Sequence, residues 1–327
     1  MEVRGFEPYI GQHCETVATG SLLKWAGVEL SEPMMFGLGQ GLAFIFIKLS
    51  SLPLPFVGGR TKPFEITDTL CRNLGLELSA NETTSKTKAW AALEASLDDG
   101  VPVGLQLDCF HLEYFSRPVH FAGHFVAAYG LNEREALLVD TAAQGSRQKT
   151  SRDSLERARF EKGPMAAKAR SWTLAPPKKK PDIPAATRKA IRANAKSYLA
   201  PPFKGASFLG IRKLADSLPH WQEIAAEPAQ DLELAALLME RAGTGGALFR
   251  NFYRDFLGEA AELLGPSPAL KEARQHFSDS AVEWTAIAAL LEESGRSGKS
   301  APLSDAAARC KRIADLEVAG MKALAAL

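Results

Sequence analysis

A short stretch divides this chain more sharply than anything else in it. Pro176-Pro177-Lys178-Lys179-Lys180-Pro181-Asp182-Ile183-Pro184 holds four prolines and three lysines in nine positions. Proline removes backbone donors and the lysines repel one another, so these residues read as a stiff, solvated linker. Three lysines are too few to carry a membrane-targeting role. The chain of 327 residues has room for a domain on each side. The expected organisation is a domain over 1–175, the linker over 176–184 and a second domain over 185–327.

Before the linker, helical periodicity alternates with short β runs. Cys14, Val17, Ala18, Leu22 and Trp25 recur at helical spacing, and Gly27 can close that helix in a left-handed conformation. A second helix begins near Ser31, whose side chain can cap it, with Pro33 in the first turn. Leu42 to Ile47 suits a buried strand. Phe64 to Asn73 and Thr87 to Leu97 read as helices followed by Gly75 and Gly100, and Val101 to Leu107 alternates as a strand. His124 to Tyr129 and Ala136 to Asp140 flank the turn Gly130 to Glu135 as arms of a β-hairpin. Ser171 to Leu174 adds a last strand. Helices first and antiparallel strands afterwards predict an α+β domain. After the linker, segments rich in alanine, leucine and glutamate predict an all-α domain. Its helices cover 185–199, 207–217, 231–242, 247–264, 280–293 and 305–325.

Charge and composition exclude several classes. Lys+Arg total 39 and Asp+Glu 38, a net charge of +1. A dedicated nucleic-acid binder needs a large basic excess, because its affinity for phosphates is mostly electrostatic. The most apolar run stops at Lys48, far short of the roughly 20 residues that span a bilayer, so no membrane association is expected. The first residues lack the charged start and apolar core of a signal peptide. Cys14, Cys71, Cys109 and Cys310 form no CxxC pair and read as reduced thiols. The expected location is cytoplasmic.

One of those thiols stands apart. In Gly11-Gln12-His13-Cys14-Glu15-Thr16 the cysteine opens a helix, facing unpaired backbone N–H groups and the positive end of the helix dipole, which favour the thiolate nucleophile. A small buried residue that merely starts a helix reads equally well from spacing alone. His124 begins one hairpin arm and Asp140 ends the other, so antiparallel arms bring them to the same end. A histidine there can take a proton from a thiol and be oriented by a carboxylate. Taken with Cys14, the order Cys…His…Asp makes a catalytic trio the better reading.

These residues also carry a resemblance. His13-Cys14-Glu15-Thr16, the segment Ser31 to Gly41, Gly123-His124-Phe125-Val126 and Leu138-Val139-Asp140-Thr141 together resemble the N-terminal domain of the butirosin-biosynthesis acyltransferase family. Gly243 to Arg250 with Phe252 to Leu257 is similar to the helical domain that commonly follows it. The resemblance implies a papain-like fold related to the bacteriocin-processing cysteine peptidases. It also implies that an acyl or aminoacyl group moves from the phosphopantetheine thioester of an acyl carrier protein onto the enzyme cysteine, then onto a small-molecule amine. Cys14 would be the nucleophile, His124 the general base and Asp140 the orienting group. No cofactor would be bound by the enzyme itself, since the carrier protein brings the phosphopantetheine. The related peptidases place an oxyanion glutamine several residues before the cysteine. Here Pro8 stands six residues before it, and the nearest glutamine is Gln12, so the backbone N–H of Cys14 is the candidate donor. A cysteine peptidase, amidase or thioesterase on the same trio, and a silent protein that binds a carrier protein or peptide, stay open as alternatives. A homo-oligomer is equally open.

Other signals are weaker. Gly37-Leu38-Gly39-Gln40-Gly41-Leu42 superficially matches a dinucleotide loop, but the third glycine position is leucine and a strand follows instead of preceding it. A turn lining the cleft is the expected role of Gly39. Gln12, His13, Asp108, Glu113 and Tyr114 are further candidates for substrate binding. Cys109, His111, His120 and His124 fit no common zinc spacing, so no metal is expected.

Overall fold

The computed structural model describes residues 1–49 and 52–327. In chain order the first elements are α1 (Cys14–Trp25), α2 (Glu32–Leu38), β1 (Leu42–Ile47), β2 (Phe56–Arg60), α3 (Glu65–Leu74), β3 (Leu78–Asn81) and α4 (Lys86–Asp98). There follow β4 (Val103–Leu107), β5 (His124–Leu131), β6 (Glu135–Val139), β7 (Arg147–Ser151), α5 (Arg152–Phe160) and β8 (Ser171–Leu174). The rest is helical: α6 (Ile183–Leu199), α7 (Ser207–Ser217), α8 (Trp221–Ile224), α9 (Pro228–Glu240), α10 (Arg250–Leu264), α11 (Pro268–Ser297) and α12 (Ala301–Ala325). The architecture is α+β, then all-α. Among the described residues no helix is long and apolar enough to cross a membrane.

Two compact units divide the chain, and they differ from the linear split at the linker. Residues Met1–Met35 and Pro63–Asp182 form one; Phe36–Lys62 and Ile183–Leu327 form the other. Leu42–Ile47 is the strand its apolar run predicts, but it pairs only with β2 and belongs with the helices that follow the linker.

The first unit is built on a six-stranded antiparallel sheet in the order β3-β8-β4-β5-β6-β7. β5 is buried at every position, and α1 packs on it. Every α1 residue from Cys14 to Leu23 is buried, which explains why its apolar stripe is broken by polar and small residues. Ser21 donates to Val17 O at 2.8 Å, Thr19 pairs with Thr67 at 2.7 Å, and a Cβ on Gly20 would come within 2.8 Å of the Tyr9 ring. A helix surrounded by protein needs such internal partners instead of one greasy face. Gly104 serves the sheet similarly: a Cβ there would lie 2.0 Å from the Trp172 indole, which crosses β4 at that point.

In the second unit, α11 packs along α9, α10 and α12. Arg250 and Glu317, both with fully buried side chains, pair at 2.8 Å in its centre. Arg250 Nη1 donates to Leu248 O at 2.8 Å and reaches Ala43 O and Gly59 O at 3.4 Å. Glu317 also accepts from Tyr198, Ser280 and Trp284. Arg250 thereby binds the β1–β2 hairpin to helices far away in sequence. Ala247, Leu248 and Phe249 have φ of 51°, 49° and 73°, a left-handed turn costing about 1–2 kcal/mol per residue. The buried arginine helps to hold it.

Candidate active site

Cys14 is the first residue of α1, and His13 ahead of it is extended, with no side-chain cap. The cap comes from Glu32 instead. Its carboxylate accepts from Gln12 N at 2.9 and 3.0 Å, from His13 N at 2.8 Å and from Thr16 Oγ1 at 2.7 Å. A Cβ on Gly11 would fall 2.8 Å from that carboxylate, so glycine is what lets the carboxylate sit under the loop. Ser31, immediately before Glu32, caps α2 as its sequence predicts, accepting from Met34 N at 3.1 Å. Behind Cys14, the Glu15 carboxylate accepts from Phe64 N, Thr67 N and Thr67 Oγ1 at the start of α3. Anions at two helix N-termini thus fix the start of α1 within the fold.

His124 opens β5 and Asp140 follows β6. The hairpin closes through Asn132, whose Oδ1 accepts from Arg134 N and Glu135 N at 2.8 Å each, and its antiparallel arms bring the two residues to one end. His124 Nε2 lies 2.8 Å from Asp140 Oδ2. Cys14 lies close enough to the same imidazole for its charge to act on it; with Nε2 taken by Asp140, Nδ1 is the nitrogen left to face sulfur. Asp140 itself is tied down: Oδ1 accepts from Thr141 N at 2.6 Å, and its N–H donates to Ser146 O at 2.8 Å. Ala142 N donates to Gly11 O at 2.8 Å, joining the aspartate turn to the loop before the cysteine. Burial of His124 opposes its charged form, but Asp140 and Cys14 outweigh burial and hold the imidazole well above its ordinary value. The three groups can therefore share one proton between sulfur and nitrogen beside a fixed carboxylate.

The remaining predicted residues fall in different places. Tyr114 donates to Asp140 Oδ2 at 2.8 Å. Asp108 accepts from Phe110 N and Phe121 N and faces His120. Glu113 accepts from Ser151 N and Ser151 Oγ. Gln12 is exposed, with its backbone N–H on Glu32, and His13 is buried beside Cys14. Gly39 lies in the turn after α2, in the second compact unit. His111 pairs with Glu161 at 2.6 Å. The other thiols are disfavoured as nucleophiles: burial pushes Cys71 up to about 12 and Cys109 up to about 11, and raises Cys310 further. Glu32 and Glu15 both sit in motifs visible in the sequence, yet no local pattern reveals that each reaches a distant helix start.

Two family models match parts of the chain. The family described as butirosin biosynthesis protein H, N-terminal, matches residues 13–141, a span that begins one residue before Cys14 and ends one after Asp140. A second family, described as a domain of unknown function (DUF4872), matches residues 153–324, more than half of the chain. No curated protein matches the chain. The chain belongs to the DUF4872 family, and ahead of that match its residues 13–141 are similar to the N-terminal domain of butirosin biosynthesis protein H.

Proposed function

We propose that this protein is a cysteine-dependent acyltransferase. Cys14 takes an acyl or aminoacyl group from the phosphopantetheine thioester of an acyl carrier protein and passes it to an amine in the biosynthesis of a specialised metabolite. The observation that carries this reading is the convergence of Cys14, His124 and Asp140 in a domain matched by butirosin biosynthesis protein H. A cytoplasmic setting suits the reduced thiol it requires.

Loading begins when the Cys14 thiolate adds to the thioester carbonyl. The oxyanion meets first-turn N–H groups of α1, that of Cys14 among them. The intermediate collapses by expelling the pantetheine sulfur, which takes the proton held on His124. One thioester replaces another, so this step is close to balanced. An amine then attacks acyl-Cys14, the neutral imidazole takes its proton, and the Cys14 thiolate leaves as the amide forms. Amide formation draws the sequence forward.

The test is to incubate the full-length protein with acetyl-pantetheine, with and without a panel of primary amines, and follow intact mass and released products. Transfer predicts an acyl-enzyme discharged by amine to an amide. Discharge at the same rate without amine identifies a thioesterase instead, and the absence of any adduct overturns both.

A further inference from the structure

The segment between β4 and β5 is a closed strap. At its base Asp108 Oδ1 accepts from Phe110 N at 2.9 Å and Phe121 N at 3.1 Å, while Cys109 N donates to Phe121 O at 3.3 Å. The chain therefore leaves and returns at one point, as in a compact Ω-loop. Its outer side is anchored by Glu113 on Ser151 (2.9 and 2.7 Å), by Ser154 Oγ on His111 O (2.5 Å), and by His111 on Glu161 (2.6 Å). Held there, the strap sets the Phe115 ring edge-on to His124 at 5.5 Å and the Tyr114 hydroxyl 2.8 Å from Asp140 Oδ2. That oxygen is the one facing His124 Nε2, also at 2.8 Å.

We propose that Tyr114 is a positioning residue of this site: its hydroxyl shares Asp140 Oδ2 with His124 Nε2 and so limits how tightly the carboxylate holds a proton on the imidazole. The proposal rests on the reading of Cys14, His124 and Asp140 as the reacting trio. Two donors on one oxygen divide its charge, and each bond is weaker than it would be alone. A base that must give a proton to a leaving thiol in one half-reaction and take one from an amine in the next works poorly if its carboxylate partner holds the proton too firmly. Tyr114 acts through Asp140, to which its hydroxyl is bonded. Burial, followed by the charge of Asp140, holds the tyrosine well above its ordinary value, so it remains a donor throughout the working range. The titratable groups around the pair are Cys14 from α1, Cys109 and Asp108 from the base of the strap, and Tyr114 itself. Burial keeps Cys109 a neutral thiol at neutral pH. Asp108 is turned to backbone N–H groups and to His120.

The test is the titration of His124 in the full-length protein, followed by NMR of 15N-labelled histidine and assigned by the signal lost in His124→Ala. Tyr114→Phe should raise the midpoint by about half to one pH unit, a part of what one hydrogen bond to a carboxylate contributes. Replacing tyrosine throughout by 3-fluorotyrosine, a stronger donor of nearly the same shape, should lower it. In an Asp140→Asn background, Tyr114→Phe should leave the midpoint where it was. An unmoved midpoint in both tyrosine replacements, or a shift that persists without the carboxylate, overturns the proposal. The acyltransferase reading fails in a different experiment, by absence of an adduct on Cys14.

Discussion

Replacing Glu32 by glutamine isolates the device that places Cys14. The carboxylate receives the N–H groups of Gln12 and His13 and the hydroxyl of Thr16, all at 2.7–3.0 Å. Glutamine has nearly the same shape but only one acceptor oxygen. Turned to keep His13 and Thr16 on its oxygen, it also keeps the 3.0 Å contact from Gln12 N but puts its NH2 where the 2.9 Å one was, donor against donor, and the three contacts retained lose their charge assistance. A hydrogen bond to a charged group contributes about 1.5–3 kcal/mol, so losing one contact and weakening three should cost about 3 kcal/mol locally. At 1.4 kcal/mol per decade this is about a hundredfold in the opening equilibrium. Hydrogen exchange followed by mass spectrometry, on peptides spanning residues 11–20, should show that acceleration, with peptides from α7 unchanged. Alkylation of Cys14 should slow in parallel. Exchange within about threefold of the unsubstituted protein would refute the claim that Glu32 holds the start of α1.

Three further outcomes follow from the same structure. Iodoacetamide at neutral pH should label Cys14 and spare Cys71, Cys109 and Cys310, whose thiols burial disfavours as thiolates; peptide mapping reads this, and equal labelling of all four contradicts it. Because His124 is held above its unfolded value, its contribution to stability is complete below about pH 6.5 and is lost as pH rises through the raised folded value. Urea midpoints should accordingly fall across the alkaline range, and Asp140→Asn should flatten that dependence. Arg250→Met strands the buried Glu317 carboxylate and should cost about 3–5 kcal/mol, measured by urea unfolding; a loss under about 1 kcal/mol rejects the account of that pair.

Much of this was legible locally. The helix from Cys14 to Trp25, the run Leu42 to Ile47, the strand Ser171 to Leu174 and the hairpin that joins His124 to Asp140 all follow from apolar periodicity and turn chemistry. What escaped lacks that periodicity. β2 reads Phe-Val-Gly-Gly-Arg and has Gly59 because a Cβ there would lie 2.5 Å from Leu248 O; β7 is Arg-Gln-Lys-Thr-Ser, and α5 is dominated by charge. α11 begins at Pro268 with Ser267 as its cap, a helix-start signal that lies twelve residues before the expected start at 280. The interleaving of the two units was hidden for a different reason. It depends on contacts such as Asn194 Nδ2 to Leu42 O and Arg250 to Ala43 O, and no local pattern records a partner more than a hundred residues away. In the site, residue types and chain order pointed to Cys14, His124 and Asp140, whereas the bond from Tyr114 to Asp140 needed the strap to be seen closed.

The central claim is covalent, and the location of the acyl group tests it most directly. After brief incubation with acetyl-pantetheine and acid quench, peptide mapping should find the acetyl group as a thioester on Cys14 alone. It should be absent from Cys14→Ala and strongly reduced in His124→Ala. An acetyl group on another cysteine, or equal loading without His124, would contradict the account.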